Sequence, residues 1–453
     1  MRAPGGTVRS RFREHPVEFL LGLFGEVRPG EAPTVLLLTA NIFLLLTAYY
    51  LLKVAREPLI LLGGGAEVKS YASVGQSIIL VFVANGYGWL AAHVSRIKLI
   101  AYVTSFFAAN LVLFWGLGRA GVPLGVPFFL WVGVFNIVTV AQFWSFAADT
   151  YTEEQGKRLF PIIGIGSSVG AVSGSMLAEP IVRESSPFVL MVVAAFVLLS
   201  TLGISWAVHR REASQARREV GGKSVHDEPV AKGNAFALVA RDRYLLLLAG
   251  LILVLNVITK TGDYVLDRML IARAHAEAPL QGITATVYIG QFKARYFDWI
   301  NILEVVFQSF FVSRIIKYAG LRAALLLVPL ASLAGYGTAL VVPTLGVLFV
   351  TRITESTLDY SLSQTVRNAL WLVTPREAKY KAKQVVDTFV WRAGDVLSAG
   401  FVWLGAQIAA KPRDFIAVNV VGALVWVVIA FFAGRAYARR ALAAGLAEVV
   451  EPP

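Results

Sequence analysis

The sequence predicts an all-α membrane protein, with twelve transmembrane helices arranged as two parallel six-helix halves. Three observations point there: the composition, a dozen apolar stretches of bilayer length, and a faint repeat of the first half in the second. Of the 453 residues, 57% are hydrophobic and 16% charged, whereas a soluble domain carries about 25% charge.

Stretches of roughly 20 mostly apolar residues are long enough to cross a bilayer as helices. In the first half they lie near residues 33–52, 71–92, 99–117, 124–149, 159–179 and 187–208. In the second they lie near 244–266, 297–316, 321–342, 345–371, 385–409 and 415–437. The eighth is interrupted by Asp298 and Glu304 and is the least apolar. With the N-terminus in the cytoplasm, 27 Lys and Arg fall in cytoplasmic segments, 11 on the other side and 4 inside spans. That bias fits both termini inside. A multi-pass protein of a bacterial inner membrane is therefore expected. It also explains the net charge of +13 through loops, without a nucleic-acid partner.

The chain has no cysteine, and its five histidines lie far apart, so no thiolate or histidine metal cluster is expected. The basic, amphipathic N-terminus "MRAPGGTVRSRFREHPVEF" lacks the short apolar core and small-residue cleavage site of a signal peptide. Between spans six and seven, "HRREASQARREVGGKSVHDEPVAKG" reads as a charged linker, with "NAFALVARDRY" a short amphipathic lead-in. The organisation expected is a six-helix half at 1–208, a cytoplasmic linker at 209–233 and a second half at 234–453. The "GGKS" in the linker is not a phosphate loop: Arg217 stands where the first glycine is needed, and no strand precedes it.

The halves echo one another. Lys53 ends "AYYLLKVAR" in span one and Lys260 ends "LNVITKTGD" 207 residues later in span seven. Lys157 precedes Gly170 by 13 residues, and Lys381 precedes Gly394 by the same 13. "GWLAAHVSRIK" has a loose cousin in "SFFVSRIIKYAGLR". Two six-helix halves repeated in parallel are the major facilitator arrangement, with a substrate site at the repeat interface near mid-bilayer. "GWLAAHVSRIK" also resembles that superfamily's loop motif, with Ala92 in place of its usual aspartate. In span five, Gly166, Gly170 and Gly174 recur every four residues. Without a preceding strand this is no dinucleotide fingerprint, and close helix packing is the expected role.

Charges inside spans are functional candidates by default, because burying them in lipid is costly. They gather in spans one, four, seven and ten, the helices that line the cavity of the major facilitator arrangement. Lys260, Asp263 and Asp267 fall at i, i+3 and i+7 on one helical face, and Arg352, Glu355 and Asp359 repeat that spacing. Arg392 and Asp395 are again three apart. Structural ion pairing or gating is the plainer reading for any one of them; a solvated path explains the set. Five basic residues against five acidic ones suit a charged solute that breaks and remakes ion pairs. Tyr49, Tyr50, Trp144, Tyr264 and Tyr360 can stack on a ring, although packing is the commoner role for such residues.

The stretches "YYLLKVAREPLILLGGGAEVKSY", "QFWSFAADTYTEEQGKRLFPIIGIGSSVGAVSG" and "DYSLSQTVRNALWLVTPREAKYKAKQVVDTFVWRAGDVLSAG" resemble the nucleotide transporter family, the ATP/ADP translocases of plastids and intracellular bacteria. The chain looks like a divergent bacterial member. The resemblance covers most of the transmembrane region and implies the twelve-helix fold, exchange or import of nucleotides, and four charged positions linked to exchange. By the motif match the basic one in span one falls on Arg56, and the acidic one in span seven on or beside Asp263. The acidic one before span five falls on Gln155, next to Glu153 and Glu154. The basic one in span eleven falls near Asp395, with Arg392 a turn earlier, and a family asparagine in span five is here Ser168.

The function expected is alternating-access transport of a small anionic substrate, a nucleotide such as ATP or ADP. Lys53, Arg56, Asp149, Ser168, Lys260, Asp263, Arg352, Glu355, Asp359 and Arg392 are the candidate binding residues. Glu57, Asp267, Arg367 and Asp395 are the candidate gate or ion-pair residues. The alternatives are a proton-coupled carrier of a non-nucleotide solute, and a membrane sensor or scaffold of the same fold. No catalytic constellation is visible, so no enzyme activity is expected. No cofactor is expected either, and the expected partner is the lipid bilayer around a monomer.

Overall fold

The structure, a computed structural model, describes residues 27–28, 30–216, 235–375, 382–383 and 385–443. The basic N-terminal stretch and most of the linker expected at 209–233, with its "GGKS", lie outside the described residues, as does Lys381. Every regular element among the described residues is helical.

Helix α1 runs from Ala32 to His93. Its 62 residues correspond to about 93 Å of straight helix, far more than a bilayer. The run is broken at Gly65, whose backbone takes φ 82 and ψ 176, a region open essentially to glycine alone. Lys69 and Glu57 nevertheless meet side chain to side chain at 2.5 Å. Twelve residues of straight helix would separate them by about 18 Å along the axis, so the chain folds back at this one residue. The sequence reading placed a connection over residues 53–69; the structure keeps all of it helical except Gly65. Two further crossings follow in α2 (Arg96–Arg119) and α3 (Gly125–Thr150), then two more in α4 (Glu153–Glu184) and α5 (Pro187–Ala216).

The short α6 (Ala235–Arg241) leads into α7 (Arg243–Glu277), α8 (Ala285–Phe310) and α9 (Val312–Val341). The tenth crossing is α10 (Leu345–Leu358), a π-helical turn over Asp359–Ser363, and α11 (Gln364–Leu370). A second π-helical stretch, Val385–Val390, enters α12 (Trp391–Gln407), and α13 (Pro412–Ala443) follows. Eight of these helices are long and apolar enough to cross a membrane. Folded at Gly65, α1 crosses twice, and α8, the α10–α11 run and α12 complete twelve. Charge and the π turns keep those last three from reading as uninterrupted apolar spans.

The eighth crossing lies 12 residues earlier than its hydrophobicity suggested. Polar Gln291, Lys293 and Arg295 masked the start of α8, yet Thr284 caps it by accepting from the Val287 backbone N–H at 3.3 Å. The end of α7 was likewise underestimated, because it continues through Asp267 and Arg268 to Glu277.

By contacts the described residues form two compact units: residues up to Arg56 with 79–216, and residues 57–78 with 235–443. In the first unit, α4 lies directly on the first arm of α1. A Cβ on Gly166, Gly170 or Gly174 would come within 2.5, 2.3 and 2.6 Å of the Thr39, Phe43 and Thr47 carbonyl oxygens. The stripe therefore serves helix packing, as small residues four apart do. Aromatic rings Phe107, Trp131 and Phe135 pack edge-on and stacked at 5.3–5.5 Å in the same unit. In the second unit, α7 is sandwiched among α12, α13 and α10, with Gly394 giving room to the buried Asn256.

Candidate functional site

Helix α7 presents its charges along one face, and each rung reaches a different neighbour. Lys260, Asp263 and Asp267 span about 10 Å along the axis. Asp263 accepts from Arg352 of α10 at 2.8 Å through Nη2 and at 3.2 Å through Nε. Lys260 Nζ stands 3.7 Å from Asp395 Oδ1 of α12. Asp267 accepts from Lys69 of α1 at 2.7 Å and from Lys293 of α8.

In the middle rung Arg352 is fully buried. Arg352 Nη1 also donates to Glu355 Oε2 at 2.6 Å, so one guanidinium serves two carboxylates. Glu355 receives further hydrogen bonds from the Tyr336 hydroxyl at 2.9 Å and the Thr259 hydroxyl at 3.2 Å. Hydrogen bonds to both carboxylate oxygens are what allow such an ion to survive out of water. Gly262 makes the Tyr336 approach possible, because a Cβ there would fall 2.0 Å from the tyrosine oxygen.

On α12, Asp395 Oδ2 accepts from Arg392 at 3.1 Å and from Ser77 at 3.3 Å, while Arg392 also donates to the Ser77 hydroxyl at 3.1 Å. Two cations thus share one carboxylate. In the π turn, Asp359 accepts from Arg367 at 2.5 Å, and Arg367 also donates to Ser363 at 2.8 Å. A π-helical turn at a charged residue inside a span is a common mark of a functional site.

Arg352–Glu355 and Lys293–Asp267 are buried on both sides, but each rung also pairs a buried ion with a more accessible one. Arg352 is 2% exposed against 36% for Asp263, and Asp395 is 2% against 36% for Lys260. Asp359 is less exposed than Arg367, and Asp267 less than Lys69. The sequence supplied most of these residues but not Lys293, which it assigned to a connection. Lys293 is fully buried and lies 3.6 Å from Glu57 as well as against Asp267. Its signal was present, since Ile289, Lys293, Tyr296 and Ile300 share one buried face of α8. Ser77, Thr259 and Tyr336 were also missed, and nothing in single-sequence spacing marks them.

In the other unit, Lys53 and Arg56 sit on successive turns of α1. Lys53 Nζ lies 4.7 Å from the Tyr50 ring centre and 5.9 Å from that of Tyr49, and the Arg56 guanidinium lies 4.6 Å from the Phe129 ring. These are cation–π distances, so Tyr49 and Tyr50 are occupied with Lys53. Ser168 lies half-buried on α4 between two glycines of the stripe. Asp149 lies in the last turn of α3, largely exposed and 3.6 Å from Arg96, which also binds Glu212. Gln155 is not an idle loss of charge: it closes a capping box with Thr152, and its amide donates to Glu31 at 3.2 Å.

Comparison with solved structures finds matches in fold, among them the following three. The POT family transporter PepTSo is 11% identical with a TM-score of 0.59, over 89% of this chain and 98% of that one. The nucleoside transporter NupG is 14% identical with a TM-score of 0.59, over 89% and 98%. A bacterial homologue of the iron transporter ferroportin, in its inward-facing state, is 12% identical with a TM-score of 0.61, over 88% and 98%. The likeness is one of fold: this chain, all-helical among its described residues, is a multi-pass membrane protein with the twelve-helix major facilitator fold. Comparison with protein-family models finds no match, nor does comparison with curated proteins.

Proposed function

We propose that the protein is a secondary transporter that works by alternating access on a small anionic solute, a nucleotide of the ATP/ADP kind. The observation that carries this reading is the charged ladder of α7, in which every rung includes one ion more accessible than its buried partner. A binding site needs ions that a solute can reach and displace, and Lys260, Asp263 and Lys69 are the more accessible partners in their rungs. Lys260 and Arg392 are the proposed anion-binding groups in this unit, with Asp395 as the carboxylate that the solute displaces. Arg56 and Ser168 from the motif match, and Lys53 as the charge one turn before Arg56, are proposed as further binding residues of the other unit. Glu57, Asp267, Arg367 and Asp395 act as ion-pair partners that hold the resting arrangement. The two six-helix halves at 1–208 and 234–453, a monomeric state, the bacterial inner membrane and cytoplasmic termini belong to the same proposal.

The experiment is counterflow in proteoliposomes against a panel of nucleoside mono-, di- and triphosphates. Accelerated uptake of labelled nucleotide into nucleotide-loaded vesicles is the expected result. A flat response to the whole panel overturns the nucleotide assignment. A second reading, a proton-coupled carrier of another solute, is favoured by one detail: the single guanidinium of Arg352 faces two carboxylates, Asp263 and Glu355. Uptake driven by a pH gradient alone, with no nucleotide competition, selects it.

A further inference from the structure

Away from the α7 ladder, the second unit holds a cavity of about 490 Å³ where α7 ends and α8 and α10 begin. It has room for roughly sixteen waters and falls in the usual range of ligand sites. Arg273 and Arg295 line it, with the amides of Gln281 and Gln291, and none of its ten lining residues is acidic. Tyr288, Phe292, Trp299 and Phe349 supply its aromatic walls. Arg273 is held in place by Glu277 at 2.7 Å, and the Tyr288 hydroxyl donates to the same carboxylate at 2.8 Å.

What the cavity opens onto decides its ligand. Tyr288, Gln291, Arg295 and Trp299 lie on one face of α8, at spacings of three and four. Ile302, Val306 and Phe310 continue that same face towards the helix end. All three, like Trp299, are exposed, while the opposite face with Ile289, Lys293 and Ile300 is buried. The polar cavity therefore passes without interruption into an apolar strip on a membrane-crossing helix, with a tryptophan at the change of polarity. Tryptophan is enriched at the level of lipid headgroups.

We propose that this cavity binds an anionic phospholipid. Arg273 and Arg295 hold its phosphate, the two glutamines hydrogen-bond the rest of the headgroup, and the acyl chains lie along Ile302, Val306 and Phe310. A soluble anion would use the arginines but would leave the strip bare.

The test is native mass spectrometry of the full-length protein in detergent, back-titrated with phosphatidylglycerol or phosphatidylcholine. Preferential retention of phosphatidylglycerol is expected, weakened about tenfold by Arg295→Gln or Arg273→Gln through loss of a charge-assisted bond. Gly346 lines the cavity and a Cβ there meets nothing within 4 Å, so Gly346→Phe is expected to fill the cavity and lose the lipid while keeping helix content and melting temperature. Glycerol phosphate, the same anion without chains, is expected not to displace the lipid. Equal retention of both lipids, retention undiminished in Gly346→Phe, or displacement by glycerol phosphate would each overturn the proposal. The readout is lipid occupancy, so it stands or falls separately from nucleotide transport.

Discussion

Lys69 Nζ lies 2.5 Å from Glu57 Oε2 although the two residues stand twelve positions apart on one helical run. Gly65 is the cause, and its φ of 82 and ψ of 176 define a backbone state that a Cβ-bearing residue adopts only at a penalty of about 1–3 kcal/mol. Space does not forbid a methyl there, because the nearest atom to an added Cβ is Glu67 Oε2 at 3.2 Å. Gly65→Ala should therefore destabilise mainly through backbone strain, with a small shift of the Glu67 side chain. Thermal unfolding in detergent should show a lower melting temperature with unchanged helix content. An unchanged melting temperature would mean that the reversal at Gly65 is wrong.

Arg352 is the keystone of the middle rung, with Asp263 and Glu355 on one guanidinium. Arg352→Met leaves both carboxylates without it, at a penalty of about 3–5 kcal/mol for a broken buried pair. The two carboxylates are not equivalent, because Glu355 is buried and Asp263 is more than a third exposed. Adding Glu355→Gln to Arg352→Met should recover more stability than adding Asp263→Asn. Denaturation midpoints of the three variants decide it, and equal recovery would contradict the burial argument.

The sequence made the fold legible because bilayer-length apolar runs and loop charge are properties of short windows. It made most of the ladder legible for a related reason, since Lys260, Asp263 and Asp267 advertise one helical face by spacing alone. What it hid was long-range. Lys293 looked like a loop residue because its neutralising partners, Asp267 and Glu57, lie 26 and 236 positions away in the chain. The reversal at Gly65 was hidden among three consecutive glycines, and only the observed backbone angles single out one of them. Asp149 shows the opposite failure: a carboxylate near a span looked embedded, and a single helical turn places it at the exposed end of α3.

Two carboxylates just outside the spans make stability depend on pH. Asp242 caps α7 and accepts from Arg440 at 2.6 Å and from the Tyr244 N–H at 2.8 Å. Burial pushes its carboxyl up, but those hydrogen bonds and the Arg440 charge outweigh it and hold the group below its ordinary 3.8. Glu31 behaves alike: burial raises it, while Arg158, the Arg28 N–H and Gln155 bring it below 4.5. A carboxyl that is more acidic when folded stabilises fully above its unfolded value and loses that contribution as pH falls through the folded one. Melting temperature should therefore drop below about pH 4, and Arg440→Gln should flatten the part due to Asp242. An identical pH profile in that variant would remove Asp242 from the explanation.

The rung at Asp395 separates the transport reading from a structural one by the sign of an effect. Asp395 neutralises Lys260 and Arg392 together, at 3.7 and 3.1 Å, so an anionic solute must compete with it for both. Asp395→Asn removes the competitor, and the solute should bind tighter. Once bound, it lacks the carboxylate that displaces it, and tighter ground-state binding does not speed turnover. KM and kcat for anion uptake should both fall. Arg392→Gln removes a charge-assisted contact worth about 1.5–3 kcal/mol, which corresponds to a KM raised roughly tenfold or more. If the rung only braces α7 against α12, both variants should lower the melting temperature and leave KM alone. Opposite movements of KM in the two variants, measured in proteoliposomes with folded protein, are what solute binding at Asp395 requires.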